Sequence, residues 1–178
     1  GYNTSGGMNG VGAKATNALS RYFQVASFRD GKHAVASFEK GKLKDYQEEK
    51  WTGKETGTWV KFLPDESIFK EGILLDYDAL RKQIQELAYL SPCMVFHFTY
   101  LDKPEEEITS KNGILDYIKD LNSNKTSLTS IFYTENIEDR IGVKIAMEYN
   151  DTYSDTYKLY TNSIPNSGGT HLTGFRTA

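Results

Sequence analysis

The sequence has a single cysteine, Cys93, so no internal disulfide can form, and this suits a reducing compartment such as the cytoplasm. Its three histidines, His33, His97 and His171, are scattered and with one cysteine give no zinc-ligand spacing. No apolar run approaches the roughly 18 residues of a membrane span, and no basic, apolar and small-residue succession marks a signal peptide. Neither sign of charge dominates. With 21 Lys and Arg against 24 Asp and Glu the net charge is −3, so the clustered cations that would make this chain the main grip on DNA phosphates are missing.

What remains is an ordinary globular composition: 178 residues, 38% hydrophobic and 25% charged, enough for one good core or a core plus part of another. The chain has no initiator methionine, opens inside a glycine motif and stops as a helix begins, so it is expected to be a piece of a longer polypeptide. Strands are expected over 21–28, 33–38, 43–51 and 58–63. Turns at Arg29-Asp30-Gly31-Lys32 and Glu39-Lys40-Gly41-Lys42 make them an antiparallel meander. Asp76 to Ser91 reads as the best helix, with Tyr77, Leu80, Ile84, Leu87 and Ala88 as its buried stripe and Pro92 as its stop. A strand over 94–100 follows, in which Cys93, Val95 or His97 would face inward, His97 as a hydrogen-bonded structural residue. Residues 101–111 are acidic and read as a connector or hairpin tip with Glu105, Glu106 and Glu107 facing water. A short helix is expected over 114–121 and a strand over 130–134. Segments 141–149 and 155–161 alternate well and are expected to form a hairpin about Asn150-Asp151. The tail reads as a turn, paired glycines and a helix from about Thr170.

The opening twenty residues, GYNTSGGMNGVGAKATNALS, carry the chemistry. Gly6, Gly7, Gly10 and Gly12 precede a small-residue helix, and a glycine-rich loop feeding a helix N-terminus presents unpaired N–H groups to an anion. A flexible linker before a helix is the bland alternative. A P-loop is excluded, because Lys14 follows alanine and precedes alanine rather than standing in G-K-[ST]. A dinucleotide fingerprint on Gly10-Val11-Gly12 lacks the apolar strand that should lead into it.

S-G-G-x-x-G-V-G followed by N-A-L-S resembles the ATP lid of the GHKL ATPases, as in the ATPase subunits of the bacterial type IIA DNA topoisomerases, gyrase and topoisomerase IV. Three further segments are similar to that family in the same order. They are Gly57-Thr58-Trp59-Val60-Lys61-Phe62-Leu63-Pro64-Asp65, the helix YDALRKQIQELAYL, and the tail TNSIPNSGGTHLTGFR, which other GHKL proteins do not carry. The resemblance implies an α+β fold. Residues 1–109 would be the C-terminal part of a GHKL (Bergerat) α/β sandwich, and 110–178 the start of a transducer domain resembling ribosomal protein S5 domain 2. It implies ATP contacts at Tyr2, Gly7, Met8, Asn9, Gly10, Val11, Gly12 and Thr58, several through backbone N–H groups to the phosphates and Thr58 toward the adenine. Asn9 stands where the family usually has histidine. Arg29 matches an arginine at the pocket mouth, and Lys14 lies beside the cradle.

By the same resemblance the parent is an ATP-hydrolysing, DNA-topology-changing isomerase. It would be cytoplasmic, homodimeric through the ATPase subunit, and associated with a DNA-cleaving A-type subunit and double-stranded DNA, with no membrane. The catalytic base, the adenine-reading aspartate and the Mg2+ ligand of the family lie upstream of Gly1 and a transducer lysine lies beyond Ala178, so no catalytic or metal residue is expected within the chain. The chain alone is expected to bind ATP poorly and hydrolyse none. The alternatives are a non-enzymatic dimerisation or interaction module derived from this family, and another GHKL ATPase such as a mismatch-repair protein.

Overall fold

The structure is a computed structural model describing residues 10–178. The chain divides into two compact units, one ending at Leu74 and the other spanning Leu75–Ala178.

In the first unit, helix α1 (Gly12–Ala18) runs directly into a four-stranded antiparallel sheet of β1 (Ser20–Arg29), β2 (Lys32–Glu39), β3 (Lys42–Lys50) and β4 (Gly57–Pro64), in the order β3-β2-β1-β4. The meander expected from the sequence forms, with its turns where Asp30-Gly31 and Lys40-Gly41 put them. Arg29 pairs with Lys32 and Glu39 with Lys42, leaving two-residue turns. Both turn residues have positive φ, 53° and 73° at one turn, 50° and 78° at the other. That is the type I′ requirement, and glycine at the second position meets it without a Cβ penalty. One face of the sheet brings Phe23, Val25, Phe38, Val60 and Phe62 together through the β1–β2 and β1–β4 registers. Phe23 is buried, whereas Val60 and Phe62 remain about half exposed.

Asp65 closes this unit. Its N–H donates to the Leu19 carbonyl at 3.0 Å. Its carboxylate accepts from the Ser67 N–H and hydroxyl at 3.0 and 2.7 Å and pairs with Lys40 Nζ at 2.8 Å. The aspartate of the G-T-x-V-x-F-x-P-D segment therefore ties the end of β4 to the entry of β1 and to the β2–β3 turn. The Lys40 ammonium, followed by the Ser67 hydroxyl and N–H, holds its carboxyl down at about 2, against an ordinary 3.8. A depressed carboxylate contributes stability that is present above its unfolded pKa and lost as pH falls through the folded one. Asp65→Asn is accordingly expected to flatten the acid limb of the melting-temperature profile between pH 3.8 and about 2. An unchanged slope in that window would show that Asp65 makes no such contribution.

The second unit is built on α2 (Tyr77–Leu90), β5 (Val95–Phe98) and β6 (Glu106–Thr109). Asp76 caps α2 by accepting the Ala79 N–H at 2.7 Å. Ala88, Phe98 and Ile108 form the core, with Tyr77, Leu80, Ile84, Phe96 and Tyr100 packed around them. Leu87, expected in the stripe, is exposed, and Tyr89 is buried instead. The inward face of β5 also differs from expectation. Phe96 and Phe98 turn to the core, so Val95 and His97 face out, His97 against Glu105 at 3.0 Å, and Cys93 is exposed. The acidic stretch is not merely a solvated connector. It contains β6, and Glu106 accepts from the Tyr77 hydroxyl and, at 2.8 Å, from Arg81 Nε, while Ile108 fills the core.

Helix α3 (Ile114–Leu121) follows, then β7 (Phe132–Glu138), β8 (Ile141–Met147), β9 (Leu159–Thr161), β10 (Ile164–Asn166) and α4 (Thr170–Thr177). The expected pairing of 141–149 with 155–161 does not form. β8 pairs backward with β7, and β9 pairs forward with β10. The turn Asp139-Arg140 has φ of 47° and 68°, and Asn162-Ser163 has 49° and 66°. Both have the backbone of the first two hairpins without the glycine that marks it in a sequence.

Candidate functional site

The start of α1 is shaped by what surrounds it. Gly10, at φ 59°, turns the chain in the left-handed region, and Val11 stands at the N-cap with no side chain able to accept an N–H. No acidic residue lies in the first turn, so the positive end of the helix is not neutralised from within. Ala15 N–H donates to the Val11 carbonyl at 2.8 Å, and at the other end the Ser20 hydroxyl donates to the Thr16 carbonyl at 2.6 Å. Gly10, Val11 and Gly12 are exposed, and a Cβ added at Gly12 would meet nothing within 4 Å. This arrangement offers backbone donors and a favourable dipole to an anion.

Thr58 lies elsewhere. It stands on β4 opposite Ser27, seven positions along β1 from Ser20, where α1 enters the sheet. At about 3.3 Å per residue that is roughly 23 Å of strand. Thr58 shares a face with Val60 and Phe62, so its hydroxyl borders an apolar surface. Beside it is a hollow of about 220 Å³ lined by Phe28, Trp51 and residues 55–59. Three aromatic rings shape this corner. Phe28 stacks on His33 at 4.3 Å and meets Trp51 edge-on at 4.9 Å, and the Trp51 indole N–H donates to the Glu55 carbonyl at 3.1 Å. No local sequence pattern marks this cluster, because it depends on the β1–β2 register placing Phe28 opposite His33.

Of the expected ATP contacts, the structure therefore brings Gly10, Val11 and Gly12 together at one helix start and sets Thr58 apart on the sheet. Tyr2, Gly7, Met8 and Asn9 lie outside the described residues. Arg29 is exposed and pairs with its neighbour Asp30 at 3.4 Å, and Lys14 is exposed on α1. Among the described residues no group of three or more His, Cys, Asp or Glu side chains is placed to hold a metal ion. No helix among them is long and apolar enough to cross a membrane.

Comparison with known proteins shows what the chain is similar to. The DNA gyrase B family model matches residues 113–178. The DNA gyrase B protein of Spiroplasma citri is 39% identical over 184 aligned residues, covering 99% of this chain and 29% of that protein. The 43K ATPase domain of Thermus thermophilus gyrase B, solved in complex with an aminocoumarin, superposes with a TM-score of 0.79 at 30% identity. The match covers 95% of this chain and 47% of that one. The topoisomerase IV ATP-binding domain of Francisella tularensis, solved with a small-molecule inhibitor, matches at 25% identity and a TM-score of 0.73, covering 97% and 48%. The chain thus spans less than a third of the Spiroplasma relative and about half of the solved domains.

Proposed function

We propose, on the premise that the chain belongs to the DNA gyrase B family, that it is part of the ATP-hydrolysing subunit of a type IIA DNA topoisomerase. The observation that carries this reading is the exposed start of α1. It follows a left-handed glycine, lacks any acidic side chain in its first turn, and lies in a chain similar to gyrase B from end to end. The N–H groups around Gly10, Val11 and Gly12 would hold the nucleotide phosphates, with Tyr2, Gly7, Met8 and Asn9 completing the lid. Thr58, a hydroxyl beside an apolar sheet face, suits the edge of an adenine.

The proposed division places residues 1–109 in the nucleotide-binding domain and 110–178 in the transducer, and the family match beginning at residue 113 supports it. ATP binding would close the lid and bring two copies together, and the transducer would pass that state to a DNA-cleaving partner protein on double-stranded DNA in the cytoplasm. A magnesium ion would supply charge neutralisation at the phosphates. Among the described residues no group of three or more His, Cys, Asp or Glu side chains is placed to hold it.

The test is made on the native polypeptide carrying GGTHLTGFR, identified by immunoblot, purified and assembled with its DNA-cleaving partner. A mass several times 20.1 kDa together with ATP-dependent strand passage is the expected result. A native mass near 20.1 kDa, or no ATP binding, would overturn the enzymatic reading in favour of an interaction module.

A further inference from the structure

Three elements of the second unit meet at one phenol. Tyr117 of α3 is 5% exposed, and its hydroxyl lies 2.9 Å from Glu86 Oε1 on α2 and 2.9 Å from the Tyr160 hydroxyl on β9. A carboxylate only accepts, so Tyr117 donates to Glu86 and its own oxygen receives the Tyr160 proton. Lys158, just before β9, reaches the same Glu86 oxygen at 3.3 Å, so the carboxylate is held from two directions. Tyr89 of α2 stacks on the Tyr117 ring at 4.9 Å. Burial, followed by the hydrogen bonds to Tyr160 and Glu86, drives the Tyr117 hydroxyl well above the usual tyrosine range, so it keeps its proton.

Packing alone does not require this chemistry. A phenylalanine at 117 would keep the stacked ring and the buried area. Among the described residues no backbone hydrogen bond joins α2 to α3 or to β9. The polar tie among the three elements is made by these side chains, and a shift of α2 would leave the Tyr117 proton without its acceptor and the half-buried Glu86 carboxylate without its donors. β9 leads through a two-residue turn into β10, and the chain then passes Gly168-Gly169 into α4.

We infer that Tyr117 is a positioning residue: with Glu86, Tyr160 and Lys158 it latches α2 to α3 and to the β9–β10 hairpin, and carries movement of α2 toward α4. The inference rests on the proposed function, under which α2 belongs to the nucleotide-binding domain while Tyr117, Lys158 and Tyr160 belong to the transducer. The latch then lies across the junction through which the nucleotide state must pass.

The experiment uses the full-length polypeptide with its DNA-cleaving partner and compares Tyr117→Phe, Tyr160→Phe and Glu86→Gln with the unsubstituted protein. It reads the ATP KM, the ATPase kcat and the number of strand passages per ATP hydrolysed. Tyr117→Phe should leave KM and kcat within about twofold. Strand passages per ATP should fall about tenfold, inside the roughly 5–150-fold range of coupling between sites. Tyr160→Phe should lower the same ratio, and because Tyr160 is less buried it carries the test if Tyr117→Phe does not fold. Glu86→Gln keeps an oxygen to accept the Tyr117 proton and should keep most of the coupling. An unchanged ratio in both phenylalanine variants, or ATPase and strand passage falling in equal proportion, would overturn the latch. An unsubstituted protein that hydrolyses no ATP would overturn the functional reading, and the latch with it.

Discussion

Replacing Ile108 with alanine is expected to cost the second unit about 3 kcal/mol, within the roughly 2–5 kcal/mol typical of a large-to-alanine change in a core. Ile108 is 3% exposed and joins Ala88, itself fully buried, and Phe98 between α2 and the β5–β6 pair. The site has little room to collapse around a lost side chain. β6 is only four residues long, paired to β5 from Phe98–Glu106 to Val95–Thr109. The stacked rings of Tyr77 and Phe98, 5.6 Å apart, stand beside it. Domains of this size are stable by about 5–15 kcal/mol, so one substitution removes a large share. A thermal scan should show the melting temperature falling by roughly 10 °C or more. Ile108→Val, which deletes one methylene, should cost about 1 kcal/mol. Ile141→Ala, at an exposed position of β8, should stay within about 0.5 kcal/mol. Equal losses at 108 and 141 would show that the core is not where the structure puts it.

The second large effect is on ligand binding and follows from the proposed function. Gly12→Asp introduces a carboxylate at the first residue of α1. No steric penalty is expected, since φ at Gly12 is not positive and a Cβ there meets nothing within 4 Å. The new charge should even favour the helix, by about 0.3–1 kcal/mol, because it faces the positive end of the dipole. Toward phosphate the same charge is repulsive. Two unit charges about 4 Å apart at an effective dielectric of about 20 interact by roughly 4 kcal/mol, which is a weakening of about a thousandfold in affinity. Calorimetric titration of the full-length protein with ATP should therefore show binding lost while the melting temperature is held or slightly raised. Gly12→Asn, of the same shape without the charge, should bind far better than Gly12→Asp. If the aspartate variant binds ATP as well as the asparagine variant, the phosphates do not lie at this helix start.

These two positions differ in how far the sequence foretold them. Gly12 stood out at once, because a glycine-rich loop before a helix is a contiguous pattern with a local cause. Ile108 did not. It sits in a short stretch with three consecutive glutamates before it, and the run reads as solvated until α2 supplies Tyr77 and Arg81 to one of them. Asp65 is a similar case. Its place at the end of a strand is visible in Pro64-Asp65, but its partners Lys40 and Leu19 arrive only when the meander folds. The Phe28, His33 and Trp51 cluster beside Thr58 likewise exists only once three strands are in register.

The sequence by itself determined what is decided within a few residues. The Asp76 cap and Pro92 bound α2, Asp30-Gly31 and Lys40-Gly41 turn the meander, helical spacing marks α3, and a helix begins at Thr170 after Gly168-Gly169. It also carried the resemblance to the GHKL topoisomerase subunits, because the similar segments occur in order along the chain. The tertiary structure decided which strands pair in the second half and which face of β5 is buried. The physical reason lies in the turns and in burial. Asp139-Arg140 and Asn162-Ser163 take the same positive-φ backbone as the glycine turns but carry no glycine to announce it, so local chemistry left β8 free to pair on either side. The inward faces were then set by the surfaces that α2 and its neighbours offer, and a period-two pattern alone does not say which of its two faces meets them.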